Sequence, residues 1–500
     1  WAQGYYNQGE YDPYTVAPPG VIHPAFTTEP RPKLTLDLAG IGLEPITVQK
    51  LSLNGQALPG STWRTRLNVL TLTPDRDLRV GLNRIEVQYA HPINVRHKSN
   101  PVSYTFFVNH QPSPPRVTLG SRGELIVNDR PTFVVGGYRS GNRDEFIDAL
   151  PTARDAGFNM VHDYWFETGT QDPEVYIQQA RQYLQRADEL GLGVFMGLPR
   201  KMVRAFDREG LAQIIAELSG ERALWLWYMM DEPMHDSTPV ANAALTYHLI
   251  KRLDPNHPAV MVFNRPTNMV MFSPFTDIIW CDRYPIIASS DELRSLAPIS
   301  GTLQYAIEMF GDRKPVWPVL QGHDNRALRS VRESMPDLSF PSDGDHRPNE
   351  QELRAQAHLG IAHGAMGVVY YWLQQKGASG YAMADLPEVW ASFSRVMHEL
   401  RELEPILLST QTTPEFRVEG GNDKVVMWTR ALNQRVYVGL VNTSCHQATR
   451  LSIRPIRPID QARQIQGDGQ VRIGTEGVEV HLGPAGVGVL MWDMGASEEH

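Results

Sequence analysis

The residues best suited to chemistry close one run, Trp225-Leu226-Trp227-Tyr228-Met229-Met230-Asp231-Glu232-Pro233. Two acids at the end of an apolar, aromatic segment are costly to keep unless they meet water or a reacting group. Paired carboxyls split a hydrolytic reaction between them: one protonates the leaving oxygen, the other serves the carbon it leaves. A plainer use is also open, with Asp231 or Asp236 capping the helix that follows. Other segment ends carry the same kind of residue: Arg139, then His162-Asp163-Tyr164-Trp165, then Arg200. Further along come Asp282-Arg283-Tyr284-Pro285, Gln321-Gly322-His323-Asp324 and Tyr371-Trp372. Carboxyls, amides and aromatic rings together suit a sugar, whose hydroxyls need polar partners and whose C–H faces need rings. His162-Asp163, His235-Asp236 and His323-Asp324 also raise the question of a metal. No His-x-His closes the first strand and no His-Glu-x-x-His occurs, so neither a catalytic metal nor another cofactor is expected. There is no Gly-x-Ser-x-Gly elbow and no phosphate-cradling Gly-rich loop.

Positioning these groups falls to eight strand candidates: 132–138, 160–165, 194–197, 225–231, 259–263, 278–282, 316–321 and 368–373. Helical patterns at 144–155, 173–189, 208–218, 239–252, 291–310 and 350–363 separate most of them; only the stretch after the fifth strand is undefined. That count and spacing predict an α/β fold, a (β/α)₈ TIM barrel over residues 117–408. Catalytic groups then belong at the C-terminal strand ends, where the polar segments above fall. A doubly wound open sheet would show a Gly-rich turn after its first strand, and Tyr138-Arg139-Ser140-Gly141 is not one. Before the barrel, residues 31–116 alternate apolar and polar positions between turns such as Asn54-Gly55, predicting an N-terminal immunoglobulin-like β-sandwich. Residues 1–30 read as an extended N-terminal arm, and Gln111–Pro115 as a stiff linker. Residues 409–500 return to alternation and predict a C-terminal β-sandwich, either packed on the barrel or binding carbohydrate. Trp225, Trp227 and Trp317 lie inside strands and read as core, and Cys281 as a buried thiol. The polar stretch from Gly322 to Asn349 reads as a cleft wall or a surface insertion.

With these motifs placed, the barrel resembles the clan A glycoside hydrolases, whose general acid/base is the Glu of an Asn-Glu-Pro at this strand end. The resemblance implies that Glu232 is the acid/base and that Asp231 stands where the clan has the Asn contacting the sugar 2-position. It also implies that Tyr284 lies against the nucleophile and that Trp372 floors the subsite holding the cleaved sugar. The clan's nucleophilic Glu ends the seventh strand; here that place offers Gln321, whose amide cannot serve as a carboxylate. Three readings of the second group are open. Asp231 and Glu232 act as a dyad, Asp231 orienting a substrate 2-acetamido group that itself attacks, which resembles the Asp-Glu hexosaminidases such as glycoside hydrolase family 123. Alternatively another acid is the partner: Asp282 first, then Asp163, Glu167 or Asp324. A carboxyl separation of roughly 5 Å from Glu232 would imply retention, and roughly 6.5–9.5 Å inversion. Or the barrel is degenerate and only binds glycan.

The expected function is therefore a glycoside hydrolase acting on a polysaccharide or glycan, with a non-catalytic carbohydrate-binding protein as the alternative. Glu232, Asp231 and Asp282 are the expected catalytic group. Arg139, His162, Asp163, Tyr164, Trp165, Tyr284, Gln321, His323 and Trp372 are the expected substrate contacts. The formal charge of -9 over 500 residues, with no Lys/Arg-rich run, argues against a nucleic-acid partner. No apolar stretch approaches the roughly 18 residues that span a bilayer. A secreted or periplasmic location, with a leader removed before Trp1, is the expectation.

Overall fold

The computed structural model describes residues 22–23, 26–27, 29–38, 47–66, 69–90, 102–110, 116–139, 147–234, 237–286, 294–311, 314–323, 347–371, 387–421, 424–455, 460–474 and 477–493. Eight parallel strands close a barrel in chain order. They are β1 (Val134–Arg139), β2 (Met160–Asp163), β3 (Gly193–Gly197), β4 (Leu224–Asp231), β5 (Ala259–Phe263), β6 (Ile278–Arg283), β7 (Val316–Gln321) and β8 (Gly367–Tyr371). Both faces of each strand are covered, so the sequence runs are nearly continuous in apolar residues. One face fills the barrel: Tyr138, Met160, Phe195, Tyr228, Trp280 and Trp317 share one cluster. The other packs on the helices: Val135, Val161, Met196, Trp227, Met261 and Cys281 join helix residues in another.

The covering helices are α1 (Leu150–Asp155), α2 (Trp165–Thr168), α3 (Pro173–Glu189), α4 (Arg200–Ala205), α5 (Arg208–Leu218), α6 (Val240–Leu253), α7 (Pro266–Phe272), α8 (Ala297–Phe310), α9 (Glu350–Ala362) and α10 (Pro387–Leu407). Local sequence explains their starts. Asp172 accepts from the Glu174 and Val175 amides at the head of α3, with Pro173 at the first helical position. Asn349 and Glu352 form a reciprocal capping box at the head of α9. The stretch left undefined after β5 folds as α7 and a short 3₁₀ turn, Ser273–Phe275. Three helices, α2, α4 and α10, go beyond the sequence pattern. β2 stops at Asp163 rather than Trp165, because Tyr164 turns into the helical region and starts α2.

β4 departs from regular alternation twice. Its register with β3 slips at Trp225, and its register with β5 slips at Met229. Met229 and Met230 therefore both face the helices, and Asp231 lies level with Val262, an interior residue of β5. Without that extra residue the alternation would turn Asp231 outward.

A small sheet of Val117–Leu119, Leu125–Val127 and Arg130–Thr132 sends Val117, Leu125 and Val127 into the interior cluster. Gly123 lies there against Pro315, just before β7, so this sheet sits at the N-terminal end of the strands. Ahead of it, two sheets of four and five strands enclose a separate core of Leu34, Leu36, Leu51, Leu70, Ile85 and Val108. After the barrel, two four-stranded antiparallel sheets enclose Val438, Leu440, Ile453, Val480, Leu490 and Trp492. This last sandwich rests on the barrel's helical layer. Trp428 donates its indole N–H to His358 of α9 at 3.2 Å, and Tyr437, Val441 and Val489 join the outer cluster. Among the described residues no helix is long and apolar enough to cross a membrane.

Candidate active site

The bulge in β4 delivers Asp231 to the interior at the C-terminal end of the barrel. There Tyr164, just past β2, donates its hydroxyl to Asp231 Oδ2 at 2.9 Å. Glu232 follows with φ at 41°, a left-handed backbone that a residue with a side chain adopts at a cost of roughly 1 kcal/mol. Such a kink turns Glu232 out of the strand direction instead of letting it continue the pleat. Asp282 arrives without a bulge. It is two residues beyond Trp280 on β6, on the same inward face, and is 3% exposed. Its carboxyl is in hydrogen-bonding contact with Glu232. Among the described residues Asp282 Oδ1 is buried without a hydrogen-bond partner.

Asp231 and Asp282, crowded in a poorly solvated place, are both pushed toward their protonated forms. Burial, then the charges of Glu167 and Glu232, push the Asp231 carboxyl up to about 7, against the opposing pull of Arg200 and the Tyr164 hydroxyl. Burial pushes Asp282 well above the usual carboxylate range, and the charge and hydrogen bond of Glu232 push in the same direction. Such repulsion lowers the stability of the fold, and catalytic sites are where it is retained.

Glu167 stands beside this group. It is 1% exposed, on the short helix α2. Its Oε1 lies 2.8 Å from His162 Nε2, and its Oε2 accepts from Arg200 at 3.0 Å. His162 is fully buried on β2, with Nδ1 2.8 Å from the Phe195 carbonyl. Rings surround the acids. Tyr164 stacks on Tyr138 at 5.4 Å, and Tyr284 stacks on Tyr371 at 5.5 Å. His323 meets Tyr284 edge-on at 4.9 Å and lies 3.2 Å by Nδ1 from the Tyr371 carbonyl.

Several residues expected at the site stand elsewhere. Arg139 and Asp163 are partners in register on β1 and β2, paired at 3.7 Å and almost completely buried. They lie on the outer face, near Tyr183 of α3. Asp163 also accepts from the Trp165 amide at 2.9 Å. Trp165 packs on the outer cluster against Phe166. Gln321 is fully buried and spent on backbone: it donates to the Ile286 carbonyl at 3.0 Å and accepts the Ile286 N–H at 2.9 Å. An amide makes both bonds at once and an ionised carboxylate cannot, which is a physical reason for Gln at this strand end. Trp372, Asp324, His235, Asp236 and most of the stretch from Gly322 to Asn349 lie outside the described residues, as do most of the arm and the 111–115 linker.

Tyr138, Tyr371 and Arg200 belong to the site and were not among the expected contacts. Alternation carried one residue past the apolar stretch would have placed Tyr371, since it shares the inward face of Val369. Among the described residues no three His, Cys, Asp or Glu side chains converge as a metal would need. What the arrangement offers is a group of crowded acids, two of them raised, at the mouth of an aromatic-walled barrel.

No family model matches the chain, and no curated protein matches it. Solved structures do. A glycoside hydrolase family 5 protein from Bacteroides vulgatus aligns with a TM-score of 0.49 and 13% identity, over 77% of this chain and 94% of that one. An α-amylase from H. orenii gives 0.45 and 10%, over 72% and 100%. The Parabacteroides merdae β-glucuronidase with glycerol in its active site gives 0.39 and 11%, over 92% and 71%.

Proposed function

We propose that this chain is a glycoside hydrolase with Glu232 as general acid/base and Asp282 as its partner carboxylate. One observation carries the reading: Glu232 and Asp282 are in hydrogen-bonding contact at the C-terminal mouth of the barrel. On this reading the two acids in contact divide the work, one entering the reaction as an acid and the other as an anion. Glu232 is the more exposed of the two, at the mouth, where a leaving sugar departs. Asp282 lies deeper. On this reading the proton that burial favours on Asp282 in the free site passes to Glu232 when a sugar parts the pair. Glu232 gives it to the glycosidic oxygen while Asp282 attacks the anomeric carbon. Glu232 then takes a proton from the water that releases the sugar. Stacked Tyr284 and Tyr371 offer a ring surface beside the bond.

A second route has its own support. Asp231 accepts from Tyr164 and precedes Glu232, and on this route it orients a 2-acetamido group that attacks in place of Asp282. Hydrolysis of matched plain and 2-acetamido glycosides by wild type, E232Q and D282N separates the two. Loss of about 10²- to 10⁴-fold in E232Q is expected on either route. Loss in D282N as well selects the carboxylate route, whereas activity surviving in D282N on acetamido substrates alone selects the substrate-assisted one. E232Q cleaving like wild type would refute the assignment, and binding with no cleavage by any form would favour a glycan-binding barrel.

A further inference from the structure

The C-terminal sandwich turns one sheet to the barrel and the other away from it. Trp428, Tyr437, Val441 and Val489, which join the barrel's outer cluster, all belong to one sheet. The opposite sheet runs in the order β9 (Phe416–Gly420), β10 (Thr449–Pro455), β12 (Gly477–Leu482) and β11 (Gln470–Gly474). Its inward positions, Leu451, Ile453, Val478 and Val480, fill the sandwich core. Alternation then sends Arg450, Ser452, Glu479 and His481 to the outer face. That face carries a groove of about 560 Å³, a volume in the range of ligand sites.

Register lays the groove out in two rows across the strands. Gln470, His481 and Arg450 stand opposite one another in the first, and Arg472, Glu479, Ser452 and Glu419 in the second. All of them line the groove. With strands about 4.8 Å apart, the second row is roughly 14 Å long, room for several linked sugars rather than one ring. Arg472 and Glu479 are directly opposite, where a sheet ordinarily gains a cross-strand ion pair. Among the described residues neither is paired, and the side chains of Glu419, Arg450, Gln470 and His481 likewise make no hydrogen bond or ion pair with a neighbour. Their polar ends are left for the groove.

We infer that this groove is a second glycan site, which takes a hydroxyl-rich oligosaccharide on the face of the chain turned away from the barrel. The choice of ligand rests in part on the glycosidase reading of the mouth; the groove itself does not. Arginine only donates and an ionised carboxylate only accepts, whereas a sugar hydroxyl does both. Neighbouring hydroxyls along a chain can therefore meet Arg472 and Glu479 in turn, with Gln470, Ser452 and His481 beside them. Hydrogen bonds to charged groups are the stronger kind, which suits a groove with no tyrosine, tryptophan or phenylalanine among its lining residues. The two acids offset the two arginines, so a nucleic acid or an anionic membrane loses to one pair what it gains from the other. A protein partner would want an apolar or aromatic anchor at the centre, and the side chains presented there are polar. A sugar chain held here is bound to the enzyme without touching Glu232 or Asp282.

The test uses the whole chain as E232Q, so that cleavage does not consume the probe. An array of neutral, N-acetylated and uronate-bearing oligosaccharides, with a DNA duplex as control, selects the strongest binder, and isothermal titration with that oligosaccharide counts the sites. Adding R450Q and E479Q should abolish one site or weaken it by about tenfold or more, as expected for losing charge-assisted hydrogen bonds. R472Q alone should weaken the same site. All three side chains are exposed, so the melting temperature should stay where it was. Unchanged titrations in both sets of variants overturn the inference, as does an array on which no oligosaccharide binds or on which only DNA responds to the substitutions. Activity keeps the two readings apart. With Glu232 intact, the R450Q and E479Q protein should cleave small glycosides like wild type. Cleavage together with binding that ignores the groove refutes this inference alone. Groove-dependent binding in a protein that cleaves no glycan supports it while refuting the proposed function.

Discussion

Gln321→Glu replaces one amide nitrogen by oxygen at a fully buried position at the end of β7. It would also restore the carboxyl that the barrel otherwise lacks there. The wild-type amide donates to the Ile286 carbonyl and accepts the Ile286 N–H, at 3.0 and 2.9 Å. An ionised Glu can only accept, so the Ile286 carbonyl would face an anion in a site closed to water. A protonated Glu can donate, and reproduces both bonds. The folded variant therefore holds this acid neutral, with a pKa above the unfolded value of ~4.3. The sign follows from proton counting. Below about pH 4 the acid is protonated in both states and the variant is as stable as wild type. As pH rises the unfolded chain loses the proton first, and stability falls by about 1.4 kcal/mol per unit until the folded acid ionises. At pH 7 the variant should be weaker by about 3.5 kcal/mol. Denaturant unfolding of both proteins at about pH 4 and pH 7 measures the difference directly. Equal stability at neutral pH would refute the clamp. Equal stability together with new hydrolysis would show that this position opens to the substrate.

The same pH logic applies to Asp231, which is raised to about 7. Its ionisation weakens the fold as pH rises from ~4 to about 7, so D231N should be more stable than wild type above that window. The gain is on the order of 2 kcal/mol, allowing for its partial exposure, and should vanish near pH 4 in the same unfolding assay. Gly197→Ala puts a Cβ 2.7 Å from Glu167 and His162. It should cost about 1–3 kcal/mol, and an unaltered melting temperature would count against the close packing of that pair.

How much was legible depended on range. The eight barrel strands stood out because a parallel strand covered on both faces is an apolar run in any register. Asp231-Glu232 stood out because charge at the end of such a run is costly. Helix α4 escaped because six residues between short loops carry too little periodicity to read. Arg139 and Asp163 were legible as strand-end residues, but not as residues of the outer face. Which side a side chain takes depends on the pleat, and a one-residue uncertainty reverses it.

The sequence by itself determined a parallel barrel between β-domains and a pair of acids at the fourth strand end, because burial and alternation are local properties of the chain. Only the tertiary structure decided what those acids do to one another. The extra residue at Met229 turned Asp231 inward, closure of the barrel brought Asp282 from β6 to Glu232, and the chain after β6 took up the Gln321 amide. Each of these joins residues tens of positions apart. Their energies, two hydrogen bonds here and a carboxyl repulsion there, exist only once the strands have closed.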